Sequence, residues 1–203
     1  WEKVVARYQH PKHEITIAMV GKYTDYKDAY KSLNEALIHA GIQTESRVNI
    51  HYLDADLFLT NSPAELLQGV DAILIPGGFG KRGTEGMIIA AQYARENHIP
   101  YLGICLWLQI AVIEFARNIT HLKGSNSTEF DPQTPHPVID LMVEQKAVVM
   151  KGASMRLGNF PCDLEKNTSA HEAFGERQIL ERHRHRYEFN NIYRDRLASK
   201  GLV

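Results

Sequence analysis

The sequence predicts an α/β fold built on a mostly parallel sheet covered by helices on both faces. Two observations carry this. Short apolar runs alternate with segments apolar at helical spacing, strand then helix four times over, which is the pattern of βα units around a parallel sheet. Three of the runs end in glycine or cysteine (Gly21, Gly77, Cys105), where a chain leaving the C-terminal edge of such a sheet turns into loop. The 203 residues, 44% of them apolar, are enough for one domain with a buried core.

The elements follow in order. Ile15-Thr-Ile-Ala-Met-Val20 is a short apolar run ending at Gly21, suited to a strand buried on both sides. From Asp28 to Ala40, Ala29, Leu33, Ala36, Leu37 and Ala40 fall at helical spacing, and Gly41 stands where a C′ glycine belongs. Val48 to Leu53 is the second strand. Ser62-Pro-Ala-Glu65 combines an N-cap serine, proline at the first helical position and glutamate at N3. Ala72 to Pro76 is the third strand and runs into Gly77-Gly-Phe-Gly80. Gly83 to Asn97 is a helix, with Gly86 as a tolerated interruption. Ile99 to Ile104 is the fourth strand, and Leu106 to Ala116 the helix after it.

Beyond residue 120 the periodicity loosens. Residues 131–137 are a turn-rich connector, Val138 to Met142 a strand, and Glu144-Gln-Lys146 a polar stretch. Met155 to Gly158 and Ile179 to Tyr187 are strand-like without clean alternation, and Tyr193 to Ser199 forms a last helix. No internal repeat is visible.

Composition excludes several roles. Lysine plus arginine number 23 against 24 aspartate plus glutamate, so there is no basic footprint for nucleic acid. No stretch approaches the ~20 apolar residues that span a bilayer. The start, Trp1-Glu-Lys-Val-Val-Ala-Arg7, has neither a signal-peptide layout nor an initiator methionine, so the expectation is a piece of a longer polypeptide. Residues 1–13, polar and containing Pro11, read as an interdomain linker and 14–203 as the domain. Cys105 and Cys162 fit neither metal-ligand spacing nor a disulfide scaffold, which points to a reducing, cytoplasmic setting.

The chemistry concentrates at Pro100-Tyr-Leu-Gly-Ile-Cys-Leu-Trp-Leu-Gln109. A strand ending in cysteine with a helix at once behind it is the layout of a nucleophile elbow. A thiolate there is stabilised by unpaired N–H groups and the helix dipole. On position alone a nucleophile and a buried structural cysteine are equally compatible. The glycine loop after the third strand favours the first: the N–H groups of Gly78 and Leu106 would together form an oxyanion hole for acyl transfer. A plain βα turn remains the alternative for that loop.

Longer motifs carry a resemblance. Pro76-Gly-Gly-Phe-Gly-Lys-Arg-Gly83, Ile99 to Leu106, Asn126-Ser-Thr-Glu-Phe130, Met155-Arg-Leu-Gly158 and Glu181-Arg-His-Arg-His-Arg-Tyr-Glu188 resemble the glutaminase domains of CTP synthases, which are class I (triad) glutamine amidotransferases. Gly21-Lys-Tyr23 and Asp28-Ala-Tyr-Lys-Ser32 match as well. The resemblance spans nearly the whole chain. It implies a three-layer, flavodoxin-like sandwich in which Cys105 attacks the glutamine amide to form a thioester and release ammonia. Gly78 and Leu106 hold the oxyanion. Gln109, Glu129 and Arg186 bind the substrate's polar end, a carboxylate suiting its ammonium and a guanidinium its carboxylate. No cofactor is implied within the domain. A synthetase domain of the same polypeptide would use ATP, Mg and UTP to make CTP, with GTP as activator and the full-length protein a homotetramer. Lys151-Gly-Ala-Ser-Met-Arg156 resembles a mobile segment near that activation.

Two departures stand against the pattern. Trp107 occupies the second elbow glycine, a tightly packed position, which predicts displaced backbone or a blocked pocket. The family's general base and its partner lie in a Phe-His-Pro-Glu motif that these residues do not contain, so the expectation is a domain whose C-terminal part is missing. A second reading is therefore a catalytically impaired glutaminase-like binding or regulatory module. A peptidase or redox member of the same broad fold shares the elbow but not the run from Arg182 to Tyr187. His183 and His185 would share one strand face, with Arg182, Arg184 and Arg186 on the other. A polar strand is preferred there over a metal site, which needs further ligands. Without the resemblance, Glu129 reads as a surface carboxylate, Gln109 as exposed, Phe79 as packing beneath its loop, and Cys162 as a buried, inert thiol.

Overall fold

Short runs of β-branched and aliphatic residues bury both faces only if helices cover both sides of the sheet, and the first half of the chain does this. The computed structural model describes residues 1–24, 27–78, 80–142, 145 and 156–203; the side chains of Lys27, Trp107 and Arg156 are outside that description. Phe79, residues 151–155 of the stretch Lys151 to Arg156, and Glu144 and Lys146 lie outside it as well. The chain divides into two compact units, Trp1–Glu114 and Phe115–Val203.

In the first unit the order is α1 (Glu2–Gln9), β1 (His13–Gly21), a 3-10 turn (Lys27–Tyr30), α2 (Lys31–Thr44), β2 (Ser46–Asp54), a 3-10 turn (Ala55–Leu59), α3 (Pro63–Leu66), β3 (Ala72–Ile75), α4 (Thr84–Glu96), β4 (Tyr101–Gly103) and the start of α5 (Leu106–Asn118). The four strands form one sheet in the order β2-β1-β3-β4, every pair parallel. On one face Ile15, Ile17, Met19, Val48, Ile50 and Leu74 pack with Leu33 and Leu37 of α2. The alternating residues Ala18, Val20, Ile73 and Ile75 are buried as well, and α4 lies against β1 and β4. The mostly parallel, helix-covered sheet is the one the sequence predicts.

Three local readings change. The stretch read as a linker contains α1, and Arg7 and Lys12 both pair with Glu45, the left-handed residue that ends α2. Gly41 is not the C′ residue. It sits inside α2, where an added Cβ would come within 2.5 Å of the Ser46 carbonyl oxygen. Gly86 is more than a tolerated interruption: a Cβ there would stand 1.9 Å from the Ala55 carbonyl oxygen, so α4 rests directly on the 3-10 turn after β2. Arg95 of α4 makes a two-toothed pair with Glu114 of α5, with N···O distances of 2.7–3.1 Å, and Glu114 is only 3% exposed. The Glu114 carboxylate holds the Arg95 guanidinium above its ordinary range. Burial, and after it Glu114, pushes the Tyr101 phenol of β4 up.

The second unit carries two small sheets. β5 (Asn126–Ser127), β6 (Pro137–Asp140) and β9 (Glu188–Phe189) make one. β7 (Arg156–Asp163) and β8 (Gln178–His185) make an antiparallel ribbon, with α6 (Ser169–Phe174) between them in sequence. A short α7 (Arg194–Ala198) completes the unit. Leu157, Asn159, Pro161, Leu180, Arg182 and Arg184 are exposed, so the ribbon has a face with no core beneath it, and with Leu157 and Leu180 on that face the apolar residues do not alternate with the polar ones. His183 and His185 do share a strand face, their ring centroids 5.5 Å apart. Cys162, read as buried, is half-buried and unpaired.

Candidate active site

β3 is flanked by β1 and β4, so three adjacent strand ends open onto one edge of the sheet. Cys105 is the hinge between β4 and α5. Its φ is 62°, in the left-handed region that L-residues avoid. Glu45, His98 and His121 share that sign of φ, but each follows the end of a helix, where such residues are common. Cys105 instead precedes one; Asn167 does so too, but it is an asparagine in a turn, a residue type that tolerates this region. The amide of Ile104 donates to the Ile75 carbonyl at 3.0 Å, extending the β3–β4 ladder to the residue before the thiol. The Leu108 amide closes the first turn of α5 on the Cys105 carbonyl at 3.2 Å. A half-buried thiol thus stands at a strained strand-to-helix junction, with the first N–H groups of α5 behind it.

The glycine loop lies beside it. A Cβ built on Gly77 would meet the Cys105 Cβ at 3.5 Å, which brings Gly77, Gly78 and Cys105 into one neighbourhood. Leu106 is buried and anchors the helix start, and Gln109 one turn further is 7% exposed, so the expectation of an exposed glutamine does not hold. The backbone of Trp107 lies in the first turn of α5.

The loop is also tied on its other side, to the end of β1. The Tyr30 hydroxyl accepts the amides of Lys22 and Tyr23, each at 3.2 Å. Only a glycine at 21 permits this, because a Cβ would sit 2.6 Å from that oxygen. Lys22, 6% exposed, donates its ammonium to the Gly80 carbonyl at 2.5 Å, and Arg82 donates back to the Lys22 carbonyl. Thr84 closes the loop onto the Lys81 carbonyl through its hydroxyl at 2.8 Å and its amide at 3.2 Å. The sequence reading matched Lys22, Tyr30 and Arg82 as motif residues without assigning them work. Residues 60 apart in sequence leave no spacing signal.

Glu129 and Arg186 belong to the second unit. Glu129 follows β5 in a turn, its amide donating to the Ser127 hydroxyl at 3.2 Å. Arg186 occupies the bend between β8 and β9, half-buried, its guanidinium 5.5 Å from the Tyr187 ring centroid. Its Nε is buried without a hydrogen-bond partner among the described residues. Also among the described residues, no three His, Cys, Asp or Glu side chains are grouped to hold a metal, and no helix is long and apolar enough to cross a membrane.

Known proteins resemble this chain. The model of the family "Glutamine amidotransferase class-I" covers residues 25–202. CTP synthases of Caldanaerobacter subterraneus subsp. tengcongensis and Carboxydothermus hydrogenoformans are each 57% identical over 203 residues, covering 100% of this chain and 38% of their own. That of Thermus thermophilus is 55% identical over 203 residues, with 37% of its length covered. The chain thus spans about 38% of the length of the curated relatives it matches. Among solved structures, the glutaminase domain of Trypanosoma brucei CTPS with bound acivicin superposes with a TM-score of 0.84 at 38% identity, over 93% of this chain and 73% of that one. The chain therefore belongs to the class-I glutamine amidotransferases, among the glutaminase domains of CTP synthases.

Proposed function

We propose that this domain hydrolyses L-glutamine through a thioester on Cys105, supplying ammonia for CTP synthesis. The observation that carries the reading is the φ of 62° at Cys105, between β4 and α5 and against Gly77: a nucleophile elbow facing an oxyanion loop. The sulfur adds to the side-chain amide carbon, and the carbonyl electron pair moves onto oxygen, where the N–H groups of Gly78 and Leu106 receive it. Collapse of the adduct expels the nitrogen, which takes up a proton and leaves as ammonia. Water then cleaves the γ-glutamyl thioester, giving glutamate and restoring the thiol. Gln109, Glu129 and Arg186 bind the amino-acid end of the substrate, Glu129 suiting the ammonium and Arg186, whose Nε is without a partner among the described residues, the carboxylate. The proton transfers need an acid–base group. By family resemblance that group is the histidine of a Phe-His-Pro-Glu motif, which these 203 residues do not contain.

In the longer protein the ammonia passes to a synthetase domain that aminates UTP with ATP and Mg, under activation by GTP, in a cytoplasmic homotetramer. The test of the reading for this chain is covalent labelling with acivicin, located by peptide mass spectrometry. Adduct on Cys105, competed by L-glutamine and absent from Cys105→Ala, is the expected result. Label distributed equally over Cys105 and Cys162, or no competition by glutamine, refutes it.

A further inference from the structure

We propose that Lys22 is a positioning residue for the oxyanion loop, holding the loop that carries Gly78 in its reactive geometry through the Gly80 carbonyl. This rests on the glutaminase reading above. An ammonium is seldom placed at 6% exposure, because desolvating a charge is unfavourable unless fixed partners replace the lost water. One such partner here is a loop carbonyl at 2.5 Å, two residues beyond Gly78. The bond is one of a reciprocal pair: Lys22 reaches from the β1 end to Gly80, and Arg82 reaches back to the Lys22 carbonyl. The β1 end is itself immobilised, since the Tyr30 hydroxyl takes the amides of Lys22 and Tyr23. Arg82 also lies 6.0 Å from the Tyr23 ring centroid, adding a contact on the same side.

The loop needs such support. Gly80 and Gly83 have φ of 79° and 75°, and glycines supply conformational freedom rather than stiffness. An oxyanion donor helps only if its N–H already points at the place where charge develops. Gly77 is located by Cys105 on one side, and Gly80 by Lys22 on the other, so the peptide between Gly77 and Gly78 is bracketed. Lys22 acts through this bracket and does not touch the substrate.

The experiment uses the full 203-residue chain and compares the parent with Lys22→Met, which keeps the length and apolar stem and removes the donor. Acivicin inactivation is resolved into its maximal rate and half-saturation concentration, and iodoacetamide alkylation of Cys105 is followed in parallel. Iodoacetamide needs the thiol but no oxyanion loop. Direct loss of an oxyanion donor lowers rates by roughly 100–1,000-fold. A positioning residue one step removed is expected to lower the maximal acivicin rate by about tenfold, with the half-saturation concentration and the iodoacetamide rate changed less than about twofold. A maximal rate within twofold of the parent overturns the proposal, as does an equal fall in both reagents' rates. Where Lys22→Met does not fold, Arg82→Met removes the reciprocal bond from an exposed side chain, with the same pattern expected at about threefold and the same results overturning it. A parent in which acivicin ignores Cys105 overturns the glutaminase reading and this proposal together. A labelled parent with an unaffected Lys22→Met overturns this proposal alone.

Discussion

Gly86→Ala tests the packing of α4 most directly, because two effects oppose each other and the structure decides the sign. In an exposed helix interior, replacing glycine with alanine stabilises by about 1 kcal/mol. At position 86 the new methyl would lie 1.9 Å from the Ala55 carbonyl oxygen and 2.8 Å from its carbon, with Phe58 Cβ at 3.5 Å behind them. The obstruction is backbone and cannot rotate aside, so the helix or the 3-10 turn must move by more than an ångström. Overpacking of this kind typically costs about 3 kcal/mol at the upper end of the usual range. The net is a loss of about 2 kcal/mol, equivalent to a fall in Tm of ~4–8 °C at this chain length. Urea titration should show a lower midpoint at unchanged slope. A variant as stable as the parent, or stabler by about 1 kcal/mol, refutes the close approach of α4 to Ala55.

Four further outcomes follow from the same geometry. Tyr101 has a folded-state pKa raised above its ordinary 10.0, by burial first and Glu114 second, so the stability it contributes is complete below pH 10 and declines as pH rises beyond it. The decline approaches ~1.4 kcal/mol per pH unit for that one proton, and Tyr101→Phe should flatten the urea midpoint against pH above 10 relative to the parent. Arg95→Met leaves the nearly buried Glu114 carboxylate without its cation and should destabilise by about 3 kcal/mol, whereas Arg95→Met with Glu114→Leu should recover most of that in the same titration. Cys105→Gly should be up to about 1 kcal/mol more stable than Cys105→Ala, since relief of the left-handed backbone, ~1–2 kcal/mol, exceeds glycine's unfolded-state entropy. The order would be reversed at an ordinary site, and paired thermal melts decide it. Trp107→Gly should raise the maximal rate of acivicin labelling by about tenfold if roughly 1.4 kcal/mol of overpacking is relieved; equal rates before and after the change remove the idea that Trp107 obstructs the elbow.

What was legible in the sequence is what burial writes into it. β1 to β4 are visible because strands covered on both faces become short apolar runs, and Cys105 is visible because the run before it stops at a helix. Gly41 and Gly86 are not legible because each makes room for a carbonyl from another segment, and a lone glycine has the same appearance whether it breaks a helix or lets a neighbour in. The β7–β8 ribbon is without periodicity because its solvent face carries Leu157 and Leu180 beside the arginines, while Phe160, Cys162, Ile179, His183 and His185 on the other face are only half-buried. Gln109 is polar and one helical turn from Cys105, a position open to an exposed reading, yet it is buried. The Lys22–Gly80 bond joins two strand ends adjacent only in the sheet, so it emerges with the strand order β2-β1-β3-β4 and not before.

Glu45 is a single latch with two hooks. Arg7 in α1 and Lys12 in the junction before β1 close on the same carboxylate, and the Lys12 hydrogen bond leads in holding that carboxyl below its ordinary 4.5. The support it lends is therefore complete above that value and slips away as acid is added, and one proton lets go of both cations together. Acidification should loosen the side-chain hold of Arg7 and Lys12 on the end of α2, while the amides of Lys12 and His13 keep their hydrogen bonds to the Glu45 carbonyl.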